Sequence, residues 1–362
     1  MSKRKAKPKS TQRSAEIDTR NKLPSKSQAK VTPEQHWRNF LALSLIVAFL
    51  AIAYLITPGE EETPSKPSSK SLLSAFSPRN ACKAPPAFMR NLSANQGFGV
   101  GSALSTSERD LIGLAVVDFD PQSGKRLREW QHPSWRNAGN LSAFALDQRG
   151  DIYVIPAPRV NLLENPPALQ NRLYRVDGNT GEMTIALEFP VAAAVGQRNP
   201  YAGLGLSYDC ALDSLFLTSV AGSTPSVQRG KVFRIALRPS IQIASTLAGV
   251  DMFAVASVGK ADHLALLLGS ARSPELLQIE LDANGNFPPG RSATPLLSIA
   301  GRGPEGNDRA RKIELTTDGT LSVRGTRFAF NLAQPSAQEK ATSYVFAYDA
   351  GAQSYQFQRW IK

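Results

Sequence analysis

The chain is poor in the residues that most often carry chemistry. Among 362 residues there are three histidines and two cysteines. Two cysteines with His36, His132 and His263 leave no spacing that could assemble a zinc or iron site. No Gly-x-Ser-x-Gly turn is present, which removes the usual serine-hydrolase elbow. His132 precedes Pro133 in a loop and His263 sits in a short polar turn, so neither is placed to serve a nucleophile. Gly97-Phe98-Gly99-Val100-Gly101 is rich in glycine, yet no helical pattern comes after it to offer a phosphate site. Beyond Cys82 no apolar pattern of helical period runs longer than about eight residues.

Charge is plentiful but unevenly spread. The net charge is +12, and eleven of the 42 Lys and Arg but only three of the 30 acids fall within residues 1–38. The high isoelectric point therefore belongs mostly to an N-terminal tail. That tail is rich in Lys, Ser, Gln and Pro and has no aromatic residue before Trp37. It cannot bury enough apolar surface to offset chain entropy, so residues 1–36 are predicted to be disordered. Without aromatic rings it offers no base-stacking platform, so nucleic acid is not an expected partner.

The next segment of the chain accounts for the basic tail. Phe40 to Ile56 is an uncharged apolar run, about 25 Å long as a helix, with Trp37 and Tyr54 near its ends where amphipathic rings favour the membrane interface. The sequence predicts a single-pass signal-anchor over residues 37–57, with the Lys- and Arg-rich side held in the cytoplasm. Ala51-Ile52-Ala53 has the form of a signal-peptidase site, so a cleaved leader is the alternative. Residues 58–80, rich in Pro, Ser, Lys and Glu, read as a semi-extended stalk. The remainder, residues 81–362, is then an extracytoplasmic domain, and a bacterial inner membrane with a periplasmic domain is the expected location. In that compartment Cys82 and Cys210 are expected to form a disulfide.

The domain reads as strand and turn throughout. Short apolar strands run into acidic turns closed by Gly, as in Val117-Asp118-Phe119-Asp120-Pro121-Gln122-Ser123-Gly124 and Val176-Asp177-Gly178-Asn179-Thr180-Gly181. Asp bonds its own backbone there, and Gly supplies positive φ. Apolar hairpins at 140–157, 201–221, 252–269 and 312–332 alternate with more polar ones at 111–130, 172–189, 232–247, 275–299 and 343–361. A pair of hairpins makes a four-stranded sheet, and the period of about 45–55 residues indicates a propeller. Five blades are expected, or six if the segment 88–105, assigned to the first inner hairpin, hides more strand. Closing the ring would remove exposed sheet edges.

Ala145-Leu146-Asp147-Gln148-Arg149-Gly150-Asp151-Ile152-Tyr153-Val154, and Leu173-Tyr174-Arg175-Val176-Asp177 with Thr180-Gly181, resemble blades of the gluconolactonase/senescence-marker-protein and NHL-repeat β-propellers. The resemblance implies an all-β propeller. In its enzymes a central divalent metal is held by a Glu, an Asn and an Asp. Asn199 and Asp209 flank the matching inner hairpin, but the early Glu has no counterpart, so no metal ligand is assigned. Asp118-Phe119-Asp120 has the form of a glycosyltransferase Asp-x-Asp, but the turn directly after it marks both acids as turn residues. The glycine- and charge-rich loop 301–312 is a candidate partner loop, with a solvated linker as its plainer reading. The expected function is a non-catalytic binding or scaffold module for an envelope protein or glycan, without a cofactor. The alternative is a metal-dependent, lactonase-like hydrolase with its site in the propeller channel.

Overall fold

The structure is a computed structural model. It describes residues 76–99, 101–106, 111–156, 163–192, 195–196, 198–260, 263–331 and 341–362. The tail, the apolar run with Trp37 and Tyr54, and residues 58–75 of the expected stalk lie outside the described residues, while residues 76–80 of that stalk are described and pack on the propeller instead of standing free. Among those described, no helix is long and apolar enough to cross a membrane.

The described chain folds as a five-bladed β-propeller. Blade one comprises β1 (Ala103–Ser105), β2 (Ala115–Phe119) and β3 (Arg126–Trp130). Blade two comprises β4 (Leu141–Leu146), β5 (Ile152–Pro156), β6 (Arg172–Val176) and β7 (Met183–Glu188). Blade three holds β8 (Gly203–Asp209), β9 (Ser214–Ser219), β10 (Lys231–Ala236) and β11 (Gln242–Ala248). Blade four holds β12 (Met252–Lys260), β13 (His263–Ser270), β14 (Glu275–Glu280) and β15 (Thr294–Ser298). Blade five holds β16 (Arg309–Leu315), β17 (Leu321–Thr326), β18 (Thr342–Asp349) and β19 (Ser354–Ile361). Within each blade the strands pair antiparallel in chain order. The first strands β4, β8, β12 and β16 pack successively on one another, so they are the inner strands.

The hairpins read from the sequence are these strand pairs. Their turns form as the side chains dictate. The Asp120 carboxylate accepts from the backbone N–H groups of Gln122 and Ser123, and that of Asp177 from Asn179 and Thr180. These bonds stabilise the ionised form and hold both carboxyls below their ordinary pKa.

Packing lies between blades rather than at one centre. One core joins blades one and two through Leu114, Val116, Leu141, Ile152 and Val154. A second joins blades two and three through Tyr153, Ile155, Leu173, Tyr208 and Leu215. A third joins three and four through Phe216, Val232, Leu266 and Leu268. A fourth joins four and five through Leu267, Ile313, Leu321, Val323 and Phe346. Each fully buried Leu or Ile contributes about 1.5–3 kcal/mol. The inner strands approach closely: a Cβ on Gly205 in β8 would lie 3.0 Å from Ala254 Cα in β12.

Two expectations change. The segment assigned to the first inner hairpin instead begins with a helix, α1 (Ala87–Gln96). Pro85-Pro86 precedes it, Gly97 caps it at φ 67°, and Phe88 and Leu92, four residues apart, are buried on one face. Phe88 lies 5.8 Å from Trp130 and 5.9 Å from Trp135, centroid to centroid. Tertiary aromatic contacts thus fix a helix whose own amphipathic pattern is short. Blade one is left with three strands, so a sixth blade is not formed among the described residues. Ring closure also differs, because among the described residues no core cluster joins blade five to blade one.

Candidate functional site

The two ends of the inner hairpins have opposite character. At one end the turns between first and second strands are crossed by a strap formed by residues 76–88. Phe76 is buried in the core between blades four and five. The Ser77 hydroxyl donates to the Gly259 carbonyl at 2.5 Å, and Gly259 N–H donates to Ser77 O at 3.1 Å. Arg79 then reaches blade three, where its Nε donates to Asp209 Oδ2 at 2.7 Å and its Nη2 to Oδ1 at 3.1 Å. Asp209 is fully buried and also accepts from Ser257 Oγ at 2.5 Å and from the N–H groups of Ala211 and Leu212. Cys82 and Cys210 form the expected disulfide, with Cα atoms 5.9 Å apart. Ala84 N–H bonds Asp147 O in blade two, and Phe88 N–H bonds Gly178 O. The incoming chain is thereby tied to blades four, three and two in turn.

The opposite end carries an aromatic group. Phe253 at the start of β12, Tyr201 just before β8, and Phe328 and Phe330 just after β17 meet there with Leu204, Val220 and Ala271. Phe328 lies 4.9 Å from Phe253, 5.1 Å from Phe330 and 5.8 Å from Tyr201. Phe328 and Tyr201 are half-buried, so each keeps part of its surface in solvent. Arg272 flanks the group with its guanidinium 5.2 Å from the Phe330 ring centre. Its Nε donates to Asp251 at 2.6 Å, and its terminal nitrogens donate to the carbonyls of Thr224, Pro225 and Val227. The cation is therefore fixed in place. Arg327 pairs with Glu305 at 2.7 Å on the rim. Ring faces and a fixed cation recognise flat apolar faces, whether sugar rings or aromatic side chains. The arrangement is chemistry for non-covalent recognition. The sequence signal that could have found it is Arg327-Phe328-Ala329-Phe330, aromatic alternation continuing past the end of a strand.

The residues that looked chemical in the sequence are used internally. Asp118 is buried in β2, accepts from Gly99 N–H and Ser102 Oγ, and faces Arg128 at 3.4 Å. Asp120 caps its turn, so the Asp-x-Asp pair is split between strand and turn. The Asn199 side chain donates to Val220 O and Ser223 O and accepts from Tyr201 N–H. The ring of His132 accepts from Ser134 N–H at the start of a short 3-10 turn. His263 begins β13. In the 301–312 loop, Arg302 stacks on Phe346 and Phe357, and Asp308 accepts from the Tyr344 hydroxyl at 2.8 Å. Those two residues anchor the loop between blades, while Gly301, Arg302, Pro304, Glu305, Gly306 and Asn307 are exposed, in keeping with a solvated linker. Buried Asp151, Asp209 and Asp251 each hold an Arg partner at 2.6–2.7 Å. Among the described residues no three His, Cys, Asp or Glu side chains converge as a metal-holding group.

No protein-family model and no curated relative matches the chain. Solved structures match at the level of fold. A 6-phosphogluconolactonase-like protein from Bacteroides uniformis is 12% identical, over 72% of this chain and 67% of that one, with a TM-score of 0.42. An exo-β-1,3-galactanase from Phanerochaete chrysosporium is 10% identical over 78% and 70%, with a TM-score of 0.39. A chain of a nidogen/laminin complex is 10% identical over 68% and 90%, with a TM-score of 0.37. The class is an all-β five-bladed propeller. Identities this low carry no activity from these proteins to this one.

Proposed function

We propose that the chain is a single-pass, membrane-anchored propeller that works in the bacterial periplasm as a binding or scaffold module for an envelope protein or glycan. The apolar run and its basic flank support the anchor and its orientation. The disulfide supports an oxidising compartment. The observation that carries the binding reading is the Tyr201–Phe253–Phe328–Phe330 group on the end opposite the strap. Among the described residues the incoming chain crosses the strap end and does not cover the aromatic group. Aromatic residues and Arg are the residue types enriched where proteins bind one another, and aromatic faces also stack on sugars.

The reading is tested with a photo-crosslinking amino acid in the full chain, in place of Phe328 or, on the strap end, in place of Arg149. The expected result is a discrete envelope adduct from position 328 and none from position 149. No adduct from 328, or the same adduct from both positions, would overturn it.

A further inference from the structure

The two halves of the disulfide differ in their surroundings. Cys82 lies in the run Asn80-Ala81-Cys82-Lys83, all of it exposed. Cys210 is half-buried against the core between blades two and three. Exchange with an outside thiol depends on which sulfur that thiol can reach. At Cys82 solvent gives access, and at Cys210 the packed core restricts it. Cys210 is also the better placed sulfur to leave. Its Sγ accepts the Cys82 backbone N–H at 3.0 Å, and such a donor stabilises a thiolate more than a neutral sulfur.

The strap has other holds on either side of the bridge. Before it, Phe76 is buried, and Arg79 makes two bonds to the fully buried Asp209. The Arg79 carbonyl accepts from Cys210 N–H at 2.8 Å. After it, Ala84 N–H donates to Asp147 O and Phe88 N–H to Gly178 O, both at 3.0 Å. Between these anchors, among the described residues, Asn80 to Lys83 make no hydrogen bond or ion pair except the one from Cys82 N–H. Breaking the bridge therefore loosens a short exposed run and leaves both its ends fixed. The two thiols stay near each other and can close again.

We propose that Cys82–Cys210 is an exchangeable disulfide, a site on the native surface for a dithiol of the thiol–disulfide oxidoreductase class. One thiolate of the dithiol attacks Cys82 Sγ. A mixed disulfide forms, the Cys82–Cys210 bond breaks, and Cys210 leaves as a thiolate and takes up a proton. The second thiolate of the dithiol then attacks its own partner sulfur in the mixed disulfide. Cys82 leaves in turn and is protonated. The dithiol ends as a disulfide, and this chain gains two electrons and two protons. The site lies on the strap and does not depend on what the aromatic end binds.

The test follows reduction of the purified full chain in detergent, with dithiothreitol as the probe and free thiols counted by mass after maleimide trapping. Reduction is expected to run to completion with the far-UV circular dichroism unchanged. Its rate should change less than twofold on adding about 1 M urea, because the native chain is what reacts. A rate that climbs at least tenfold with urea would show that only the unfolded chain is reduced, and would overturn the proposal. So would loss of the β signal in the reduced chain. Glutathione replaces the dithiol to locate the attack, with an acid quench and peptide mapping. The adduct is expected on Cys82 at least tenfold more often than on Cys210, and equal or reversed labelling would overturn the assignment of the two sulfurs. After the thiol is removed, oxidised glutathione should restore the bridge. Failure to re-form it in the folded chain would show that the site is not exchangeable.

Discussion

Removing the disulfide, by Cys82→Ser with Cys210→Ser, isolates what the strap contributes. The bridge closes a span of 128 residues. On the chain-entropy account a loop of that length restrains the unfolded state by about 5 kcal/mol. The compact unit runs from Ser69 to Lys362. At about 2.1 cal/mol/K per residue its unfolding entropy is roughly 0.6 kcal/mol/K, so the loss corresponds to about 8 °C in Tm. The blades themselves should survive, because the inter-blade cores are built mainly from strand residues, and of the bridge only Cys210, partly buried against the core between blades two and three, adjoins one. The assay is thermal unfolding of the full chain monitored by far-UV circular dichroism, comparing wild type with the double serine variant. A drop of under 2 °C would show that the strap's non-covalent contacts already impose the restraint. Loss of the β signal at 25 °C would show that the bridge holds the propeller together, and would refute the strap account.

The same contacts set further expectations. Asp209→Ala leaves Arg79, only 12% exposed, without its partner, and should lower stability by about 3–5 kcal/mol in urea unfolding. Tyr153→Phe should raise stability by about 1 kcal/mol, since among the described residues the buried Tyr153 hydroxyl has no hydrogen-bond partner. Leu92→Ala should cost about 2–5 kcal/mol by opening a cavity under α1. Burial pushes the Tyr153 and Tyr355 phenols from 10.0 up to about 12. Because the folded value is raised, their contribution is fully present below pH 10.0 and lost as pH rises through about 12, which ultraviolet titration of tyrosinate will show. Asp120 and Asp177 are shifted below 3.8, so their contribution is present above pH 3.8 and lost as pH falls through the lowered values.

The strands and turns of this domain were legible because two local rules govern them. Apolar residues alternate or run together along strands, and Asp with Gly closes the turns between them. Blades two to five emerge from such phrases alone. The Cys82–Cys210 pairing was inferred from the compartment that the apolar run implies. Helix α1 was not legible, because what stabilises it is long-range: Phe88 and Leu92 pack on Trp130 and Trp135, which lie more than thirty residues away. The aromatic end was equally hidden. Tyr201, Phe253 and Phe328 belong to three different blades, and only the packing of successive inner strands brings them together. The buried acids show the converse. Asp118 looks reactive in the sequence, but like the buried Asp151 and Asp251 it is paired with an Arg that the fold supplies.

Binding through the aromatic end is the centre of this account, and co-sedimentation tests it most directly. The compact unit from Ser69 to Lys362, which lacks the apolar run, would be mixed with isolated envelope, with and without chelator, and compared with its Tyr201→Ala, Phe328→Ala double variant. The account predicts that wild type sediments with the envelope regardless of chelator, and that the variant binds at least tenfold more weakly while melting normally. Equal binding by the variant, or a chelator-sensitive hydrolysis of added lactone by wild type, would contradict it.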